Sequence, residues 1–517
     1  MLATLIIAAA LFVGAPQSAA AGSPETVTGT DSNKGGEQQQ IRETIGQMPA
    51  SPAVTRHAVV VAGKELGYTA TAGMLPIVND AGETEAHIFY IAYTAGSQGP
   101  GSRPLMFLFN GGPGSSSVWL HMGAAGPKRV RMLADGRMPP PPYLLADNES
   151  TWLDRTDLVF IDPVGTGYSR AVKPELARKF SSVGGDIDAV GRFIRLYLSR
   201  NDRWQSPLFL AGESYGTFRA AGLSEYLAEH GIALNGIVLV SSILNMQTIS
   251  FNNGNDLPYQ LALPSYTATA WYHRKLSPEL QVDLDKTLAA AELWAGTAYL
   301  TALDRGDRLT ADERRVVVDG VARYTGLDRS LIDSLNLRVE ARSFVRELLR
   351  ERGETVGTMD SRFTAPNPEP ATPHVFDPTV AAIRPPFTAT FNEYVRSDLG
   401  FRTELEYFIL GGGIGSWDWE AKNSYADTSD NLRNTLAKNP YMKLFVGSGL
   451  FDLATPLSAS DYTLAHLGLP PSFRKNIVSH RYRAGHMFYL DSVARARLKR
   501  DLAEFIDGAA APRTGSD

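Results

Sequence analysis

The chain has 517 residues, a net charge of -5 and a pI near 6.0, with no dense run of lysine or arginine, which argues against a nucleic-acid partner. It contains no cysteine, which excludes disulfides, thiol nucleophiles and cysteine-ligated metals. This length admits either about three domains or one decorated α/β unit.

Residues 1–21, "MLATLIIAAALFVGAPQSAAA", combine an apolar segment with a small-residue cleavage pattern and read as a signal peptide, so the chain is expected to be exported, to the periplasm or beyond the cell. The apolar run is too short to span a bilayer, and no stable membrane insertion is expected after cleavage. Residues 22–55 are polar and rich in Gly, Ser and Gln, and read as a disordered linker. From 57 to 95, β-branched and aromatic runs alternate with Gly and Asn-Asp turns, the pattern of antiparallel strands at a sheet edge.

The texture then changes to short, continuous apolar runs: "RPLMFLFNGG", "TDLVFIDPVG", "PLFLAGES", "NGIVLVSSIL" and, much later, "YMKLFVGSG". Such runs suit strands buried on both faces of a mainly parallel sheet. Helical spacing in "VGGDIDAVGRFIRLYLSR" and "TFRAAGLSEYLAEHG" supplies the alternation of an α/β fold with helices flanking the sheet. Residues 56–245 therefore form the first part of the core. A helix-rich, charged stretch over 246–400, with a Pro-rich piece, reads as a cap insertion, and 401–510 as the second part of the core, before a flexible tail at 511–517. No internal repeat is present.

"GESYG" brackets Ser214 with glycines at the junction of an apolar run and a helix, the form of a nucleophile elbow. A nucleophilic serine needs a base and a group to orient that base. Asp452 ends the apolar run "YMKLFVGSGLFD", and His486 follows Gly485 in "YRAGHMFYLD", which gives the order Ser, Asp, His of α/β-hydrolases. Taken singly, each has an ordinary reading: Asp452 as a turn or helix cap, His486 as one of nine histidines, with His480 a nearby competitor in a strand-like run. The loop "NGGPGSSS" upstream offers glycine amides for an oxyanion hole, or a plain tight turn. "ILGGGIGSW" fails nucleotide-loop spacing and reads as a Gly-rich turn, and the tryptophans of "SWDWEA" as packing residues. No metal-ligand spacing appears, so neither metal nor cofactor is expected.

Together and in this order, "NGGPGSSS", "FIDPVGTGYS", "GESYG", "GLFDLATP" and "AGHM" resemble the serine carboxypeptidase family of α/β-hydrolases, in its bacterial exported branch. The resemblance runs from about residue 57 to 508 and implies an α/β-hydrolase fold with a helical cap, acting on peptide or protein C-termini. It implies Ser214 as nucleophile, His486 as base and acid, Asp452 as the group orienting it, and the amides of Gly112 and Tyr215 as the oxyanion hole. It assigns capture of the substrate's terminal carboxylate to Asn110, the Gly111 amide and Glu213, with Glu213 protonated when it binds and activity favoured by acid. One position departs from the pattern: where the family commonly carries a second glutamate, an ungapped match of "HMGAAGP" places Ala124, with His121 one conceivable substitute. A cysteine usual after Gly-Gly-Pro-Gly is Ser115. The rival readings are an esterase or acyltransferase on the same scaffold, and a catalytically silent peptide-binding protein. The oligomeric state is not legible.

Overall fold

The computed structural model describes residues 51–96, 103–367 and 376–511. The signal peptide and nearly all of the linker fall outside these residues, as does most of the C-terminal tail; at the linker's end a strand already begins at Ala53.

Nine strands form the path of the main sheet: β1 (Ala53–Val61), β2 (Lys64–Val78), β3 (Thr84–Ala95), β4 (Leu105–Phe109), β5 (Asp157–Ile161), β6 (Leu208–Ser214), β7 (Gly236–Ser242), β8 (Lys443–Gly449) and β9 (Ile477–Tyr482). Their spatial order is β1-β2-β3-β5-β4-β6-β7-β8-β9, with a tenth short strand, Arg170–Ala171, on β3. The first three strands pair antiparallel and β3 meets β5 antiparallel, while every pair from β5 to β9 is parallel. This is the expected mainly parallel sheet with an antiparallel edge.

The continuous apolar runs have a direct cause. Along β4 all five side chains are buried; Met106 and Leu108 enter the core on one face, and Leu105, Phe107 and Phe109 enter the core on the other. A two-faced strand has no solvent side to mark with polar residues. Each large side chain so buried contributes about 1.5–3 kcal/mol.

Helices α1 (Val183–Arg200) and α2 (Tyr215–Glu229) follow β5 and β6 and bury Phe193, Ile194, Leu223 and Leu227 in the second core. The side chain of Ser182 accepts from the Gly185 amide at 3.1 Å and caps the start of α1. Between β7 and β8 lies the helix-rich stretch. Its helix α3 (Leu257–Tyr272) belongs to a third core, in which Tyr266 stacks on Phe344 at 4.2 Å. Helix α4 (Pro378–Ser397) sends Ile383, Phe387, Phe391, Tyr394 and Val395 into the first core, against the sheet. By its contacts, the last part of the expected insertion is thus joined to the sheet layer. The chain then runs through a loop to α5 (Ser429–Lys438) and β8, and closes with α6 (Ser492–Ala510).

Candidate active site

The chain reverses sharply at the end of β6. Ser214 has φ 58° and ψ -130°, in the region that L-residues other than glycine rarely occupy, and α2 starts at the next residue. The turn is this tight because glycine stands on both sides of it. A Cβ on Gly212 would lie 2.1 Å from the carbonyl oxygen of Gly216, so strand and helix backbones touch where a side chain would stand. Gly212→Ala is expected to lower stability by about 1–3 kcal/mol through overpacking, read as a lower urea midpoint at unchanged slope.

Asp452 and His486, 34 residues apart in sequence, meet at the C-terminal ends of β8 and β9. The His486 Nδ1 is 2.7 Å from Asp452 Oδ2, and both side chains are fully buried. The second oxygen, Asp452 Oδ1, accepts from the amides of Ala454 at 2.8 Å and Thr455 at 2.9 Å, and the Thr455 hydroxyl donates to Oδ2 at 2.7 Å. The carboxylate is therefore saturated and fixed. Burial disfavours a charged His486, but the charge of Asp452 and its hydrogen bond outweigh it and hold the imidazole above its ordinary pKa. With Nδ1 committed to Asp452, Nε2 is buried with no hydrogen-bond partner among the described residues. His480 takes no part: it lies in β9 with Nδ1 3.4 Å from Asp501.

The backbone of the His486 loop is held from the helix-rich stretch. The His486 amide donates to the Met359 carbonyl at 2.5 Å, and the Gly485 amide to Asp360 Oδ2 at 3.1 Å. A Cβ on Gly485 would sit 2.4 Å from that of Asp360. Asp360 is in turn paired with Arg362 at 2.7 Å, which reaches Asp491 at 3.1 Å. Sequence reasoning missed this brace; only the fold brings 358–362 to the loop.

The Gly-rich loop after β4 lies over the elbow. Gly112 has φ 101°, and a Cβ on Gly111 would lie 2.4 Å from the Tyr215 amide nitrogen. Tyr215 opens α2, so its amide is among those a helix start leaves without an intrahelical partner. The loop is anchored from behind by Arg219, fully buried, which pairs with Asp186 at 2.7 Å and donates to the Asn110 carbonyl at 2.7 Å. This charged residue inside the apolar "TFRAAGL" was a signal available in the sequence. The segment "ILGGGIGSW" packs on the same loop, with the Gly411 amide donating to Gly114 O at 2.9 Å, and Trp417 and Trp419 stand edge-on to the Tyr215 ring.

Glu213 immediately precedes Ser214 and is buried. Burial pushes its carboxyl up to about 7; the His486 charge and hydrogen bonds from Tyr489 and Asn110 work against this, and the Asp452 charge adds to it. Its Oε2 accepts from the Tyr489 hydroxyl at 2.5 Å. The Asn110 Oδ1 accepts from the Leu120 amide at 3.0 Å, while its Nδ2 is buried and closes no hydrogen bond of good geometry. His121 is not the substitute for the missing acid. Its Nε2 is 2.7 Å from the Tyr93 hydroxyl and its ring lies 4.4 Å from that of Phe160, and burial lowers its pKa to about 3, so it is a neutral core residue. Ala124 is buried in the same turn.

The arrangement sets a strained serine, a buried His-Asp pair, two candidate amide donors and a near-neutral carboxyl at one end of the sheet. A family model described as serine carboxypeptidase matches residues 64–479. Over 247 residues the chain is 25% identical to "Serine carboxypeptidase S10 family member 1" of Dictyostelium discoideum, an alignment covering 47% of this chain and 52% of that protein. Over 209 residues it is 28% identical to "Serine carboxypeptidase-like 33" of Arabidopsis thaliana, covering 39% of this chain and 40% of that protein. The alignments thus span about half the length of these relatives or less. Among solved structures it is similar to a thermostable carboxyl esterase from Bacillus coagulans, with a TM-score of 0.35 and 13% identity over 85% of this chain and 99% of that one, too distant to add to the fold read from the sheet. The chain belongs to the serine carboxypeptidase family.

Proposed function

We propose that the protein is an exported serine carboxypeptidase that removes residues singly from peptide C-termini through an acyl-enzyme. Ser214 Oγ attacks the last peptide carbonyl as His486 Nε2 takes its proton; Asp452 holds the imidazole in the tautomer that leaves Nε2 free to do so. The oxyanion is met by the amides of Gly112 and Tyr215. As the C–N bond breaks, His486 gives its proton to the departing amine, and water, deprotonated by the same imidazole, releases the acyl group from Ser214. The apolar segment at 1–21 supports export.

The observation that carries the carboxypeptidase reading is Glu213: a buried carboxyl pushed up to about 7, adjoining the elbow serine and beside the Asn110 amide. Ionised, it repels a substrate carboxylate; protonated, it donates to one. The productive enzyme carries a proton on Glu213 and none on His486. Because these two groups interact, that form shares its proton count with a silent form in which the proton has moved to His486.

Binding of a free C-terminus is therefore lost as pH rises through the Glu213 titration near 7. For an N-blocked dipeptide assayed from about pH 4 to 8, kcat/KM should fall on the alkaline side for the free acid, and the C-terminal amide should be a poor substrate throughout. Equal cleavage of acid and amide, or of neither while a simple ester is hydrolysed, overturns the proposal in favour of an esterase or acyltransferase.

A further inference from the structure

The missing second acid leaves a question of chemistry. A single carboxyl that must donate a proton to a guest carboxylate has two equivalent oxygens, and nothing in its own structure selects which carries the proton. Here the selection comes from Tyr489. This residue lies three positions after His486, in the short turn Phe488–Leu490, fully buried. Its ring packs directly on Gly123, where a Cβ would stand 2.6 Å from Cε2, so it lies against the turn that carries Ala124. Its hydroxyl is 2.5 Å from Glu213 Oε2.

We infer that Tyr489 is a positioning residue that stands in for the absent acid, its hydroxyl holding Glu213 at Oε2 so that Oε1 carries the proton donated to the substrate's terminal carboxylate. Burial and the neighbouring Glu213 keep the phenol protonated well above its ordinary range, so it acts as donor in the pair. An oxygen that already accepts a strong hydrogen bond is the poorer site for a proton, which leaves Oε1. The same bond favours the ionised carboxylate and so limits how far burial raises the Glu213 pKa. Tyr489 would thus set both which oxygen donates and the pH at which donation ends. The groups facing Glu213 are His486, Asp452, Asn110 and Tyr489; of these only Tyr489 can be altered without touching the serine, its base or the candidate oxyanion loop.

The inference rests on the carboxypeptidase reading, and the test separates the two. The full profile of kcat/KM against pH is measured for wild type, Tyr489→Phe and Glu213→Gln, each on an N-blocked dipeptide acid and its amide. Tyr489→Phe is expected to move the alkaline limb for the free acid upward by about one pH unit. The alkaline limb is the readout, because Glu213 and His486 share a proton count and the acid limb belongs to the pair. Glu213→Gln, which cannot ionise, should have no alkaline limb from this group, and adding Tyr489→Phe to it should produce no shift. An unmoved limb in Tyr489→Phe, or a uniform loss across pH, makes the tyrosine structural and overturns the inference. If wild type cleaves the amide as well as the acid with no alkaline limb, it is the carboxypeptidase reading itself that fails.

Discussion

Replacing Ser214 by alanine is expected to lower peptide-bond cleavage on the order of a million-fold, leaving only what oriented binding and the amide donors supply. The fold should be kept. Alanine has the same Cβ as serine and meets the same steric terms at φ 58°, so the turn is no more strained than before. A circular dichroism spectrum and urea midpoint matching wild type, together with the loss of labelling by a fluorophosphonate, check both halves. A wild-type protein that a fluorophosphonate leaves unlabelled would be the silent binding protein, and Ser214→Ala would then change nothing.

The second large effect is that of Asp452→Asn, for which a fall in kcat on the order of ten thousand-fold is expected. The carboxylate accepts on both oxygens: from the amides of Ala454 and Thr455 on one side, and from Thr455 Oγ1 and His486 Nδ1 on the other. An amide cannot accept at all of these. Turned to satisfy the backbone, it presents its NH2 to His486, which must then carry its proton on Nε2, where it blocks removal of the serine proton. Turned the other way, it sets an NH2 against two backbone N–H groups. The single-turnover rate checks the result, and a variant within tenfold of wild type would remove Asp452 from the mechanism.

The sheet was legible in the sequence because its central strands are buried on both faces, so runs such as "LMFLF" have no other reason to be continuous. The elbow was legible for a related reason: two glycines and a serine are what that close backbone approach admits. Asp452 could be singled out by its place after an apolar run and His486 by its Gly-preceded loop, in the order Ser, Asp, His, and the structure brings the two to 2.7 Å. Three features were not legible. The brace from Met359 and Asp360 depends on a contact across 125 residues of sequence. Tyr489 reads as one more aromatic in "MFYL" until the fold turns its hydroxyl to Glu213. Helix α4 carries Pro385 and Pro386 within it, and the charged, helix-rich texture around it gave no sign that its apolar face joins the sheet. In each case the decisive partner is far away in the chain, and local pattern carries no information about it.

The brace at 358–362 also limits how the chain can be recombined. Enzymes whose selectivity resides in an inserted cap invite exchange of that cap between relatives, as if the chemistry beneath were a self-sufficient base plate. Here the base plate is not self-sufficient. The carbonyl that receives the His486 amide and the carboxylate that receives the Gly485 amide both come from the inserted stretch. A chimaera that replaces residues 246–400 wholesale would lose two of the fixings of the His486 loop. A graft that stops short of Thr358, and leaves Thr358–Arg362 and the Asp377 cap of α4 native, preserves them. The helix-rich stretch and the His486 loop meet at a seam a few residues wide, inside what the chain order presents as one insertion.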